Sequence, residues 1–331
     1  MGAPNDTVIF LRRGKIERRE DAFRIGKSKY SAVRTTGIII AGGAQITTQA
    51  VRLALRNEVP IVYLGGNRIL GVTVPFSERY ATLRLKQYEI ASQPSARLAF
   101  ARPLIASSIL ARAAVLEFLA NETGITGLED AADEVRSEAE RALNAGSTDA
   151  LRGYEGRAAC RYFRALAEVL PDWAFSGRRT RRPPRDPFNA AISFGYAGVL
   201  LPVLLSRTVA AGLEPFLGFL HGPRGRRPGL ILDLMEEWRA LAVDVPVLRR
   251  FLDGSLSREM FRWKGDAVLL RDLDAVSAPV LTVLSRVRGG LLEAVDRRIR
   301  EVRDGVSRQS PPEPLEFDPE DVGVVWDALE V

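Results

Sequence analysis

The apolar pattern of this chain changes period at Pro75, and that change constrains the fold more than any other feature. Before Pro75 the apolar residues fall in short β-rich runs, "TVIFLR", "AFRI" and "GIIIAG", separated by charged or glycine-bearing turns. "TTQAVRLALRN" (47–57) interrupts them as one short amphipathic helix, capped by a threonine, with Ala50, Leu53 and either Leu55 or Val51 facing inward. "VPIVYLG" and "RILGVTV" then flank Gly65-Gly66-Asn67, a hairpin-turn signal. After Pro75 the spacing follows 3.6 residues. Ser77 can cap a helix opening "ERYATLRLKQYEI", and helical patterns cover 97–121, 126–145, 148–170, 187–213, 229–252 and 277–304. Together these patterns predict an α+β chain: a small N-terminal β-rich domain over 1–75 and a larger all-α domain over 76–310. Residues 311–331 form an acidic, proline-rich tail expected to be flexible.

Several classes are excluded early. A single cysteine, Cys160, rules out an intrachain disulfide and a cysteine-based zinc site. The longest apolar run, Phe194 to Leu205, contains Pro202 and is too short to span a bilayer, and no signal peptide is apparent. A cytoplasmic protein without a membrane partner is expected. The glycines of "AGGAQITTQA" lie between a strand and a helix but match neither the Walker nor the dinucleotide spacing.

Net charge is +6, and its distribution says more. The tail holds Glu313, Glu316, Asp318, Glu320, Asp321, Asp327 and Glu330 and no Lys or Arg, so the rest of the chain is more basic than the whole. "SGRRTRRPPR" (176–185) contains Arg178, Arg179, Arg181, Arg182 and Arg185 and no acid. Arginine's planar fork of donors suits phosphate, and Pro183 and Pro184 stiffen the segment. A solvated basic loop is the plainer alternative.

Two helical stretches carry acids in unusual company. In "GYEGRAACRYFRALAEVL", Glu155 lies two turns before Tyr162 along an apolar and aromatic face, where a bare carboxylate is costly. In "LILDLMEEWR", Asp233 and Glu236 are three apart and share a helix face. His221, the only histidine, stands 12 residues before Asp233 across a loop with Arg224, Arg226 and Arg227. A divalent ion held by carboxylates and one imidazole, with arginines nearby for phosphate, makes a phosphodiester centre. Ordinary salt bridges between these acids and arginines are the competing account.

Three stretches in order, "YEGRAACRYFRALAEVL", "GRRTRRPPRDPFNAAISFGYAGVLL" and "GLEPFLGFLHGPRGRRPGLILDLMEEWR", resemble the CRISPR-associated spacer integrase, the Cas-one family. "GGAQITTQAVRLALRNEVPIVYLGGNRILGVTVP" is similar to that family's N-terminal β domain, so the resemblance covers most of 37–250. It implies Glu155, His221 and Glu236 as ligands of Mg²⁺ or Mn²⁺, Asp233 as a neighbouring acid, and Asn189 of "DPFNA" in the catalytic site. One departure is "HGPRGRRPG", where many relatives carry an acid after the histidine and a serine before the helix. The resemblance further implies strand transfer, in which a protospacer 3′-hydroxyl attacks a phosphodiester of double-stranded DNA at a CRISPR repeat. It implies a homodimer formed through the β domain and a dimer of the small Cas-two protein as partners. A transposon-encoded integrase of the same fold and a structure-specific nuclease for branched DNA are the alternatives, and a basic DNA-binding scaffold whose acids only make salt bridges is a third.

Overall fold

The structure is a computed structural model, and it describes residues 7–66, 68–76, 80–222, 227–286 and 291–329. The N-terminal part holds β1 (Thr7–Leu11), β2 (Lys15–Arg19), β3 (Ala22–Ile25), β4 (Ser28–Ser31), β5 (Thr35–Ile40), β6 (Gln45–Ile46), α1 (Thr48–Arg56), β7 (Ile61–Gly65) and β8 (Arg68–Thr73). One sheet runs β1-β5-β7-β8, parallel except for the β7–β8 pair, and the other runs β4-β3-β2-β6. Thr47 caps α1 by accepting from the Ala50 N–H at 3.2 Å. Ala50 and Leu53 are buried as expected; the third inward residue is Ala54, and Val51 and Leu55 are only half-buried. Ser77 and Asn67 lie outside the described residues.

The alternation of β5 joins the two parts. Ile38 and Ile40 pack with Ile16, Phe23, Ala50 and Leu53, whereas Ile39 packs into the helical core with Val62 and Leu64. A strand covered on both faces reads as a continuous apolar run, as "GIII" does.

The helical part comprises α2 (Ala81–Ser92), α3 (Pro94–Thr123), α4 (Thr126–Leu143), α5 (Thr148–Leu166), α6 (Pro187–Phe194), α7 (Leu201–Ala210), α8 (Gly229–Arg239), α9 (Val245–Leu252), α10 (Asp274–Arg286), α11 (Leu291–Arg308) and α12 (Pro319–Asp327). A π-helical segment, Gly195–Leu200, connects α6 to α7, and another, Ala240–Asp244, connects α8 to α9. An antiparallel hairpin, β9 (Phe261–Lys264) and β10 (Ala267–Leu270), stands among the helices, so this part is not purely helical. Two helical stretches, Pro94–Thr123 and Pro187–Ala210, are long and apolar enough to cross a membrane, which corrects the expectation drawn from the longest apolar run. In each, 83% of the apolar window is buried inside the protein, as in core helices.

The acidic tail does not stand free as expected. Asp318 and Asp321 form a capping box at the start of α12, and Val322 and Val325 are buried. The Trp326 ring packs 5.4 Å from Phe118, and Arg249 lies 5.1 Å over it. Further in, Arg298 on α11 is buried against Glu237 on α8 at 2.7 Å and also donates to the Glu313 carbonyl at 2.8 Å. Removing one member of such a pair leaves the other charge buried and unpaired. Arg298→Met is therefore expected to cost about 3–5 kcal/mol in urea unfolding, and Arg298→Met with Glu237→Leu to recover most of it. A double variant no more stable than the single one would contradict this account of the pair.

Candidate metal and phosphodiester site

Three elements deliver the predicted acids and histidine to one place. Glu155 comes from the middle of α5, Asp233 and Glu236 from α8, and His221 from the loop that leads into α8. Gln87 on α2 holds the beginning of that loop: its amide donates to the Glu214 and Leu217 carbonyls at 2.9 Å and accepts from the Glu214 N–H at 2.8 Å. Arg152 ties its end to α5 by donating to the Leu220 carbonyl at 3.0 Å. Gly218 and Gly229 permit the close return of the chain. A Cβ on Gly218 would strike the His221 carbonyl and the Asp233 carboxylate, and one on Gly229 would strike the same carbonyl.

Asp233 is the anchor of the histidine. Its carboxylate accepts from the backbone N–H groups of Phe219, Leu220 and His221, the last two at 3.0 Å, and lies 2.7 Å from His221 Nδ1. A carboxylate can only accept here, so Nδ1 carries a proton and Nε2 is the nitrogen left to act. This carboxylate–imidazole arrangement is the one that orients metal-ligating histidines. Burial works against the imidazolium, but the Asp233 hydrogen bond and the charges of Asp233, Glu236 and Glu155 outweigh it and raise the His221 pKa.

Glu236 is buried, and burial alone would push its carboxyl up; Arg239, Arg112, His221 and Arg181 reverse that and hold it below the ordinary range. Arg112, from the middle of α3, donates to Oε2 at 3.3 Å, and Arg239, one turn on along α8, donates to Oε1. Glu155 is the contrasting acid. Its carboxyl is enclosed by protein although the residue is partly exposed, and burial followed by the charge of Glu236 raises its pKa despite Arg112, Arg239 and His221. It makes no hydrogen bond among the described residues.

Two carboxylates that repel each other beside an imidazole with a free Nε2 are the donor chemistry of a divalent ion. As the side chains stand, no three His, Cys, Asp or Glu groups among the described residues converge closely enough to hold one. Glu236 is directed at its two arginines instead.

The arginine segment stands close by, since Arg181 acts on Glu236 electrostatically. Arg178, Arg181, Arg182 and Arg185 are exposed and make no ion pair among the described residues. The segment lines a cavity of about 450 Å³. Asn189 is its anchor. This fully buried amide accepts from Arg179 Nη1 at 2.7 Å and from the Thr180 N–H at 3.0 Å, and donates to the Arg178 carbonyl and to Asp186, both at 2.8 Å. No capacity remains for a substrate. Arg227 is exposed, whereas Arg224 and Arg226 lie outside the described residues.

The residues not singled out from the sequence are Arg112, Arg239, Tyr196 and Asp244. A lone arginine in the apolar run of α3 is a signal of a buried partner, and Arg239 lies three residues after Glu236. Asp244 is buried; Tyr196 donates to one of its oxygens and Tyr162 to the other at 3.3 Å.

The model of the family described as CRISPR associated protein Cas1 matches residues 7–275. The chain belongs to the Cas1 family. It is 33% identical to a Cas4 exonuclease/Cas1 endonuclease fusion of Rhodospirillum rubrum, over 89% of this chain and 54% of that protein. It is 40% identical to a Cas1 endonuclease of Thermus thermophilus, over 64% of this chain and 61% of that one. The chain thus spans about half the length of the fusion relative and under two thirds of the Thermus one. Among solved structures, a Cas1 protein from Thermotoga maritima superposes with a TM-score of 0.75 at 20% identity, over 94% of this chain and all of that one. A casposase bound to integration product gives 0.75 at 21%, over 95% of both chains. These likenesses support the Cas1 fold, a strand-rich N-terminal region followed by a helical part.

The buried Asp244 gives this Cas1 fold a pH signature. Burial raises its carboxyl from 3.8 to about 6, against the Tyr196 hydrogen bond and the charges of Arg112, Arg179 and Arg239. Between those two values the folded chain holds this proton more tightly than the unfolded chain, so stability falls as pH rises through the window. Asp244→Asn lacks the titration. The stability of the wild type relative to this variant is expected to drop by about 2 kcal/mol between pH 4 and pH 7 in urea melts. A flat or rising difference would remove the assignment.

Proposed function

We propose that this chain is a divalent-metal-dependent DNA integrase and endonuclease of CRISPR adaptation, acting in the cytoplasm. The observation that carries this reading is the electrostatic coupling of Glu155, Glu236 and His221, whose Nε2 is free, beside a segment whose Arg178, Arg181, Arg182 and Arg185 make no ion pair among the described residues. The relatives named as endonucleases and the fold shared with a casposase support it. Glu155, His221 Nε2 and Glu236 would hold Mg²⁺ or Mn²⁺, and a bound ion supplies Lewis-acid polarisation of the scissile phosphate. Asp233 keeps the imidazole tautomer and direction, while Arg112 and Arg239 keep Glu236 ionised at this depth. Arg178, Arg181, Arg182 and Arg185, with Arg227, bind backbone phosphates and set the strand in line for attack by a DNA 3′-hydroxyl. The nucleophile belongs to the DNA, so no protein nucleophile is needed.

The substrates under this reading are double-stranded protospacer and repeat DNA. One structural neighbour is part of a complex of a Cas6–reverse transcriptase–Cas1 chain with Cas2, matched over 36% of that chain with a TM-score of 0.73. Cas2 is accordingly proposed as a partner, and a homodimer through the β-rich part as the unit that meets it. Leu70, on the edge strand β8, is 73% exposed there. A transposon-type integrase is the second reading, because the casposase shares the fold over nearly the whole chain. Which of the two holds is decided by the presence of a repeat array beside the gene.

Replacing Glu155, His221 or Glu236 by alanine is expected to abolish Mn²⁺- or Mg²⁺-dependent joining of a 3′-hydroxyl end to duplex DNA, with circular dichroism unchanged. Pairs of these changes should lose no more than single ones, since each removes the same centre. Near-wild-type joining by His221→Ala would sink the assignment, and Asp233→Ala should be milder. For the arginine segment, Arg178, Arg181 and Arg182 changed together to alanine should weaken binding to all duplexes alike. The slope of log K against log salt should flatten by about 0.9 for each phosphate that is no longer neutralised. An unaltered slope would make the segment an ordinary solvated loop.

A further inference from the structure

Between the acid site and the arginine segment stands one aromatic ring that neither the sequence motifs nor the proposed chemistry employs. Tyr196 lies in the π-helical segment after α6 and is buried. Its hydroxyl donates to Asp244, which sits in the second π-helical segment, after α8. The same carboxylate accepts from Tyr162 on α5, the helix that carries Glu155 two turns earlier. Two guanidinium groups pack on the Tyr196 ring. Arg239 lies 4.9 Å from its centroid and Arg179 5.5 Å, both within cation–π range. Arg239 is the partner of Glu236. Arg179 roots the arginine segment, donating to Asn189, to Ser193 Oγ at 2.9 Å and to the Thr180 carbonyl at 2.6 Å.

The Nε of Arg239 is buried and has no hydrogen-bond partner among the described residues. What fixes this guanidinium is thus its pairing with Glu236 on one side and the ring on the other. Mid-helix π turns displace the side chains that follow them from the regular helical faces. Here two such turns, 48 positions apart by the residues they bring together, place a phenol and a carboxylate within hydrogen-bonding reach. The ring that results is shared by two arginines with different tasks.

We propose that Tyr196, held by Asp244, is a positioning residue that fixes Arg239 and Arg179 relative to each other and so keeps the acid site and the phosphate-binding segment in register. The part of this that concerns joining rests on the integrase reading; the fixing of the two arginines does not. A ring locked at its hydroxyl gives both cations one stiff surface, whereas an aliphatic side chain would supply neither attraction nor direction.

The test measures hydrogen exchange of the Nε–H groups of Arg179, Arg239 and Arg298 in wild type, Tyr196→Phe and Tyr196→Leu. Arg298, paired with Glu237, does not touch the ring and reports general loosening. In Tyr196→Leu, exchange at Arg179 and Arg239 should rise at least about tenfold with Arg298 unchanged, the order of effect expected when a desolvated cation–π interaction is removed. Tyr196→Phe keeps the ring but loses its hold on Asp244, so exchange at both arginines should rise there too, by less than in the Leu variant. Unchanged exchange at both arginines in a folded Leu variant overturns the proposal. If that variant does not fold, Asp244→Ala decides, since it leaves both tyrosines in place, removes the acceptor that holds the ring and should loosen both arginines; wild-type exchange there overturns the proposal equally. Joining of DNA ends, measured on the same proteins at saturating duplex, should fall about tenfold for Phe and further for Leu. Wild type that joins DNA while the Leu variant exchanges and joins like it leaves the integrase reading intact and removes the clamp. Loosened arginines in a protein whose wild type joins nothing would keep the clamp and remove the integrase reading.

Discussion

A buried carboxylate between two arginines governs the helical part of this molecule. Glu236 could not remain ionised at its depth without Arg112 and Arg239, because desolvation alone would drive it to its neutral form. Arg112 is itself buried on α3 and has Ser108 and Glu236 as its partners, so the longest helix and α8 are committed to one crossing geometry. Once Glu236 is charged, its field reaches the neighbours. It raises the pKa of Glu155 and supports the imidazolium of His221. Burial, Asp233 and this ion-pair cluster together shift the three groups proposed to hold the metal. Conversely, each acid depends on helices that also build the core, and the site cannot be loosened without the fold being loosened too.

That coupling explains what a single sequence does and does not disclose. The change of period at Pro75 locates the two parts, and helix ends are legible where caps are local, as at Thr47, Ser147 and Asp186. β2, "KIERR", escapes detection because only Ile16 in it is buried, which leaves no alternation to find. Charge dominates the pattern of the tail, although its short helix carries a capping box and an i, i+3 valine pair that are equally local signals. For the site, His221, Glu155 and Glu236 emerge through motif resemblance, and spacing alone leaves metal centre and salt bridges both open. Both accounts describe something present: Glu236 is ion-paired with two arginines, and it acts electrostatically on Glu155 and His221. Arg112 and Glu236 are 124 positions apart, and a pairing of that range has no signature in a single sequence.

Asn189 shows another limit of a motif, which records which residues recur together and not which of their atoms are free. Its amide is used up by Asp186, Arg178, Arg179 and Thr180, so it acts by holding the arginine segment in place. Exposed arginines without internal partners keep side-chain entropy until something binds them. A backbone fixed by a buried amide reduces that cost on the loop side, which is what a phosphate-binding segment needs to be effective without reading sequence.

Several departures from ideal structure meet beside the acid site. Two helices take a π turn, a carboxylate is buried deeply enough to hold its proton to about pH 6, and the Nε of Arg239 has no hydrogen-bond partner among the described residues. Each is a cost in stability, and a core filled by residues such as Leu104, Ile105, Leu116 and Tyr162 offsets them. A chain selected for stability alone would replace Asp244 and its tyrosines with apolar residues and run straight helices through the same space. Their presence at the one point where α5, α8 and the arginine segment meet means that geometry there is worth more than stability. Under the proposed function, irregular helices, buried charge and exposed arginines are aspects of one requirement, that a repelling pair of acids be held still beside a strand of DNA.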